Sequence, residues 1–83
     1  MAVIGTLTIT WKHKKKAEEI TNVYKKQYDE LDNELSLRGN NGAFKIVTST
    51  GEENTLMKGE IQSLRFVHTG NNDVREEDVL PNP

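Results

Sequence analysis

The 83-residue chain reads as an α+β domain. The expected architecture is a small antiparallel β-sheet of three to four strands, in the order β-α-β-β, with one long amphipathic helix packed on one face. Three observations predict it. Apolar residues alternate over residues 2–13, then recur at steps of three and four over residues 16–37. Beyond residue 42 the chain returns to short β-branched and aromatic runs separated by polar, glycine-containing turns.

The first element has the cleanest pattern. Val3, Gly5, Leu7, Ile9 and Trp11 fall on one face, and Thr6, Thr8, Thr10 and Lys12 on the other. Strict period two with β-branched residues on both faces predicts a half-buried strand. Its threonine face is expected to meet water, or to serve as an edge for strand addition by a partner.

The period then changes. Ala17, Ile20, Tyr24, Tyr28, Leu31 and Leu35 follow at steps of three or four, with Val23 widening the stripe. This spacing predicts a helix of about 20 residues, roughly 30 Å long. Arg38-Gly39 is expected to end it, with Gly39 at the left-handed C′ position. Asn40-Asn41-Gly42 is turn chemistry.

Residues 43–50 predict a second strand, with Phe44 and Ile46 on one face, and the polar run 50–54 predicts a hairpin turn. Residues 55–68 form a third extended region whose phase slips: Met57 and Ile61 are odd-numbered, Leu64, Phe66 and His68 even-numbered. A bulge or tight turn near residues 59–63 accounts for the slip and divides the region into two short strands. Residues 1–69 thus form a single domain. Residues 70–83, with two prolines and several acids, are expected to be a flexible acidic tail.

Composition limits the chemistry. With no cysteine there is neither a disulfide nor a thiol nucleophile. A domain this small buries only about 60–65% of its unfolded surface, so self-association is expected to supply the missing burial, a homodimer being the simplest form. The start lacks the basic and apolar regions of a signal peptide, and no apolar run reaches the ~18 residues of a membrane span. The expected location is cytoplasmic, or the host cytoplasm if the source is viral. Small chains of this composition are common among accessory proteins of compact genomes, phages included.

The net charge of −2 hides a division. Residues 1–28 carry +4 and residues 29–83 carry −6. Lys14, Lys15 and Lys16 stand at the expected helix start, which the helix dipole disfavours, and no side chain there can cap it. Helix amides together with His13, Lys14, Lys15 and Lys16 would suit a phosphate, a nucleotide or a nucleic-acid backbone, with Trp11 adding a stacking face if exposed. The competing reading is a solvated lysine run, neutralised by Glu76-Glu77-Asp78 of the same or another chain, with Trp11 as a core anchor. A pI of 5.6 weighs against a dedicated nucleic-acid binder.

Little else resembles catalytic machinery. His13 and His68 share no metal-ligand spacing, the glycines form no phosphate loop, and no serine sits in a strand-to-helix elbow. No cofactor is expected. The reading that follows is a non-enzymatic, self-associating module that binds another macromolecule, with Tyr24, Tyr28, Leu31 and Leu35 as candidate interface residues. The alternative is a nucleotide- or nucleic-acid-binding module built on Trp11, His13, Lys14, Lys15 and Lys16. A minimal hydrolase or metal enzyme ranks third.

Overall fold

The computed structural model describes residues 2–37, 42–75 and 79. The expected helix end at Arg38-Gly39, the Asn40-Asn41 turn and half of the expected tail lie outside them. The chain runs β1 (Ala2–Trp11), β2 (Glu18–Tyr24), α1 (Lys25–Leu37), β3 (Ala43–Val47) and β4 (Glu53–Met57), then a 3₁₀ turn (Lys58–Glu60) and β5 (Ile61–Asn72). Over the described residues it is an α+β fold with a three-stranded antiparallel sheet in the order β2-β1-β5, a two-stranded sheet of β3 and β4, and one helix.

The largest departure from the expected order is β2. Residues 18–24 pair with β1 as a strand, so the helix begins at Lys25 rather than Lys16 and spans 13 residues. The spacing misled because of one bulge. Gly5 opposes Val23 and Leu7 opposes Ile20, which leaves Thr21 and Asn22 together opposite Thr6. A bulge adds one residue to a strand, so Ile20 and Val23, three apart, both point inward. Asn22 takes the left-handed conformation (φ 59°), a region asparagine tolerates better than most residues. A bulged strand thereby acquires the i, i+3 signature of a helix.

β1 behaves as its alternation predicts from Gly5 to Trp11, the buried side chains being Leu7, Ile9 and Trp11. It is the centre of its sheet, not an edge, so its backbone is already paired and cannot accept a partner strand. Its close approach to β5 requires Gly5: a Cβ there would overlap the Val67 carbonyl oxygen and come within 2.7 Å of Phe66 Cζ.

The expected phase slip has two physical sources. The 3₁₀ turn at Lys58–Glu60 separates β4 from β5, and a register shift between Thr10 and Trp11 leaves Gln62 as an extra residue in β5. A second shift, between Ile4 and Gly5, makes Thr69 another. β5 runs through Asn72, past the expected domain limit at residue 69, and Val79 is buried.

Leu7, Ile9, Val23, Leu31, Phe44 and Ile46 are each 0% exposed and form the core with Trp11, Ile20, Leu56 and Ile61. Full burial of each such side chain is worth about 1.5–3 kcal/mol against exposure. α1 lies across β1, β2 and β5. Polar contacts then tie the two-stranded sheet to the rest. Buried Gln27 accepts a hydrogen bond from the Val47 amide through Oε1 at 2.9 Å. The Ser49 amide donates to the Asn22 carbonyl at 2.9 Å, and Lys58 Nζ pairs with Glu34 Oε1 of the helix at 3.0 Å. The β3–β4 turn is closed by the Thr48 hydroxyl, which accepts from the Glu52 amide at 3.1 Å, and by Gly51 at φ 90°.

Candidate binding surface at the β1–β2 turn

Residues 12–17 connect two antiparallel strands, so the lysine run sits on a hairpin loop and not at a helix N-terminus. The anion reading therefore loses the helix amides it invoked. Lys12, His13, Lys14, Lys15 and Lys16 are all exposed at this tip. Among the described residues none of these lysines makes an ion pair. The Lys12 amide bonds to the Glu60 carbonyl at 2.9 Å, holding the base of the loop against the start of β5.

Trp11 is 8% exposed, with Lys14 Nζ 5.6 Å from the centre of its ring. The ammonium lies within reach of the negative ring face, a contact worth about 0.5–1 kcal/mol at an exposed site. Covered in this way and built into the core, Trp11 offers no open face on which a base could stack. Its indole Nε1 is buried with no acceptor among the described residues.

Below the tip lies a shallow groove of about 210 Å³. Trp11, Leu56 and Met57 supply its apolar lining, and Lys14, Glu18 and Glu60 its charges. Met57 is 55% exposed there. One ammonium faces two carboxylates, so the groove is amphoteric. A polyanion entering it would meet more repulsion than attraction, whereas a peptide with an apolar side chain and one polar group of either sign matches it. Glu18, Glu60 and Met57 were not identifiable from sequence as parts of a site. The register of β2 and the turn before β5 bring them together, and no local motif encodes either.

The candidate interface residues divide. Leu31 is completely buried within the chain. The Tyr24 hydroxyl accepts a hydrogen bond from Asn72 Nδ2 at 3.2 Å, joining the ends of β2 and β5. Tyr28 stacks on Phe66 with ring centroids 5.2 Å apart and planes inclined by 22°. Leu35 is half-buried beside Leu64 and Ile61, around a second groove of about 230 Å³ that Asp32 also lines. Tyr28 and Leu35 thus share one seam, between α1 and β5.

His13 and His68 are both exposed; His68 Nε2 lies 2.9 Å from the Gly70 carbonyl. Among the described residues no group of three histidine or acidic side chains is placed to hold a metal, and no helix is long and apolar enough to cross a membrane. In comparisons with known proteins, no family model, no curated protein and no solved structure matches the chain.

Proposed function

We propose that this domain is a non-enzymatic, self-associating interaction module that binds another protein through the groove below the β1–β2 turn. The observation that carries this reading is the groove's composition: exposed Met57 beside the buried Trp11 and Leu56, with charges of both signs at its rim. Methionine is common at adaptable binding surfaces because its unbranched, polarisable side chain repacks around different partners. A groove this shallow, with its two carboxylates facing a single lysine, is better suited to a side chain of a partner than to a reacting substrate.

The phosphate-binding alternative keeps one specific support, the cluster of four lysines and His13 in residues 12–16. The two readings separate experimentally. Met57→Glu adds a third carboxylate to the groove and leaves the lysines in place. Replacing Lys14, Lys15 and Lys16 together by alanine does the reverse. The expected result is that a partner protein cross-linked to the groove and identified by mass spectrometry is lost with Met57→Glu and persists after nuclease treatment. A single-stranded oligonucleotide or a nucleoside triphosphate should bind the wild type no better than the triple variant across a salt series. Salt-dependent oligonucleotide binding that the triple variant abolishes would establish the alternative instead.

A further inference from the structure

The three-stranded sheet has two outer edges, and they differ. β2 is interrupted by the Asn22 bulge, and the Asn22 carbonyl is already occupied by the Ser49 amide. β5 is longer, at 12 residues, and among the described residues β1 is its only strand neighbour.

The direction of its backbone groups follows from the register. The Lys12 amide points to the β5 side, where it meets Glu60. Period two along β1 turns the backbone groups of Thr10, Thr8 and Thr6 the same way, opposite Ser63, Arg65 and Val67. Those three residues therefore direct their N–H and C=O groups to β1, and the intervening Leu64 and Phe66 direct theirs outward. Among the described residues nothing hydrogen-bonds to them there.

Among the described residues the core is least covered on the same side. Its half-buried apolar neighbours among the described residues are Tyr28, Leu35, Leu64 and Phe66, all on α1 or β5. The unpaired edge and the incompletely covered seam are thus contiguous. An exposed edge of this kind is ordinarily blunted by charge, proline or a bulge. Between the extra residues at Gln62 and Thr69, β5 has no proline and only one formal charge, Arg65.

From this we infer that β5 pairs antiparallel with β5 of a second copy, about a two-fold axis near Phe66–Val67, forming a continuous six-stranded sheet. The inference rests on the self-association in the proposed function and assigns it a surface. The occupant is a second copy because the strand is complementary to itself. Centred on Phe66, the pairing sets Arg65 opposite Val67 and Leu64 opposite His68; centred on Val67, it sets Arg65 opposite Thr69. Only a register centred on Arg65 opposes like formal charges, and cross-strand charge repulsion disfavours it. An isologous contact of this kind closes on itself, so it yields a dimer and no filament. Each copy also covers the other's Leu64 and Phe66 next to Tyr28 and Leu35.

The test combines sedimentation equilibrium with residue-resolved amide exchange. Wild-type chain should pass from 9.4 kDa toward twice that mass as its concentration rises. The Leu64 and Phe66 amides should exchange quickly in the dilute monomer and slow by at least about tenfold in the dimer, while Arg65 and Val67 stay protected in both. Val67→Lys puts a cation opposite Arg65 or opposite itself in either permitted register. The 43% exposure of Val67 lets the monomer accept it, so it should raise the dissociation constant at least about tenfold. Leu37→Lys, at a helix position 75% exposed, should leave dimerisation unchanged. A dimer that tolerates Val67→Lys and leaves the Leu64 and Phe66 amides fast would overturn the β5 assignment while self-association stands. A chain that stays monomeric at millimolar concentration would overturn both.

Discussion

At the scale of single residues, several positions are determined by what they touch rather than by their own propensity. Gly5 stands in a strand, where glycine is normally a weak choice, because the Val67 carbonyl occupies the space a Cβ needs. Gly5→Ala must displace backbone and not a flexible side-chain tip. We expect it to destabilise the domain by about 2–3 kcal/mol, the upper range for overpacking, read as a fall in the urea midpoint with an unchanged slope. The sequence could show Gly5 on the buried face of a strand. It could not show the reason, since Val67 is 62 positions away and enters only through the β1–β5 register. Lys58 is a similar case. Nothing nearby in sequence marks it as a buried lysine, and only the fold brings Glu34 to within 3.0 Å. Among the candidate site residues, the exposed lysines were legible as a basic cluster. Trp11 was legible as an anchor or a stacking face, and burial decided for the anchor.

Elements were legible in proportion to the regularity of their pairing. β1 is paired on both sides and shows strict alternation over Gly5–Trp11, so its pattern survives in the sequence. β2 was hidden because one extra residue shifts its apolar period from two to three. That extra residue also supplies a test. Asn22 lies in the left-handed region, where a glycine meets no steric penalty and a β-branched residue meets a severe one. Asn22→Gly should therefore change stability by less than about 1 kcal/mol, and Asn22→Val should cost about 1–2 kcal/mol or more. Thermal unfolding followed by circular dichroism would compare them, and equal midpoints for the two variants would refute the bulge geometry. The shortened helix follows from the same cause. Once residues 18–24 belong to the sheet, the stripe that remains is Tyr28, Leu31 and Leu35, with Gln27 beside it to satisfy the Val47 amide. Lys25 and Lys26 in its first turn oppose the helix dipole, so packing on the sheet, and not local preference, holds this helix in place.

For the whole molecule, the two sheets and the helix share one core, from Leu7 and Ile9 through Leu31 to Phe44, Ile46 and Leu56. Neither sheet covers its apolar face without the others. Unfolding is therefore expected to be a single transition: the fluorescence of Trp11, the only tryptophan, and the far-ultraviolet dichroism should lose their native values at the same urea concentration. Separate midpoints would mean that the β3–β4 pair has a stability of its own.

The α+β class, the inward face of β1, the β3–β4 hairpin, the break before β5, and the concentration of positive charge in residues 12–16 are written in local pattern. Each depends on contacts between near neighbours or on a period that repeats every two residues. That residues 18–24 are a strand, that β1 is central, that the lysines crown a hairpin above a groove with two carboxylates, and that β5 lies at an edge emerges once the chain is folded. Those facts depend on register between distant segments. Register follows from the joint packing of one core, and no local window of sequence contains it.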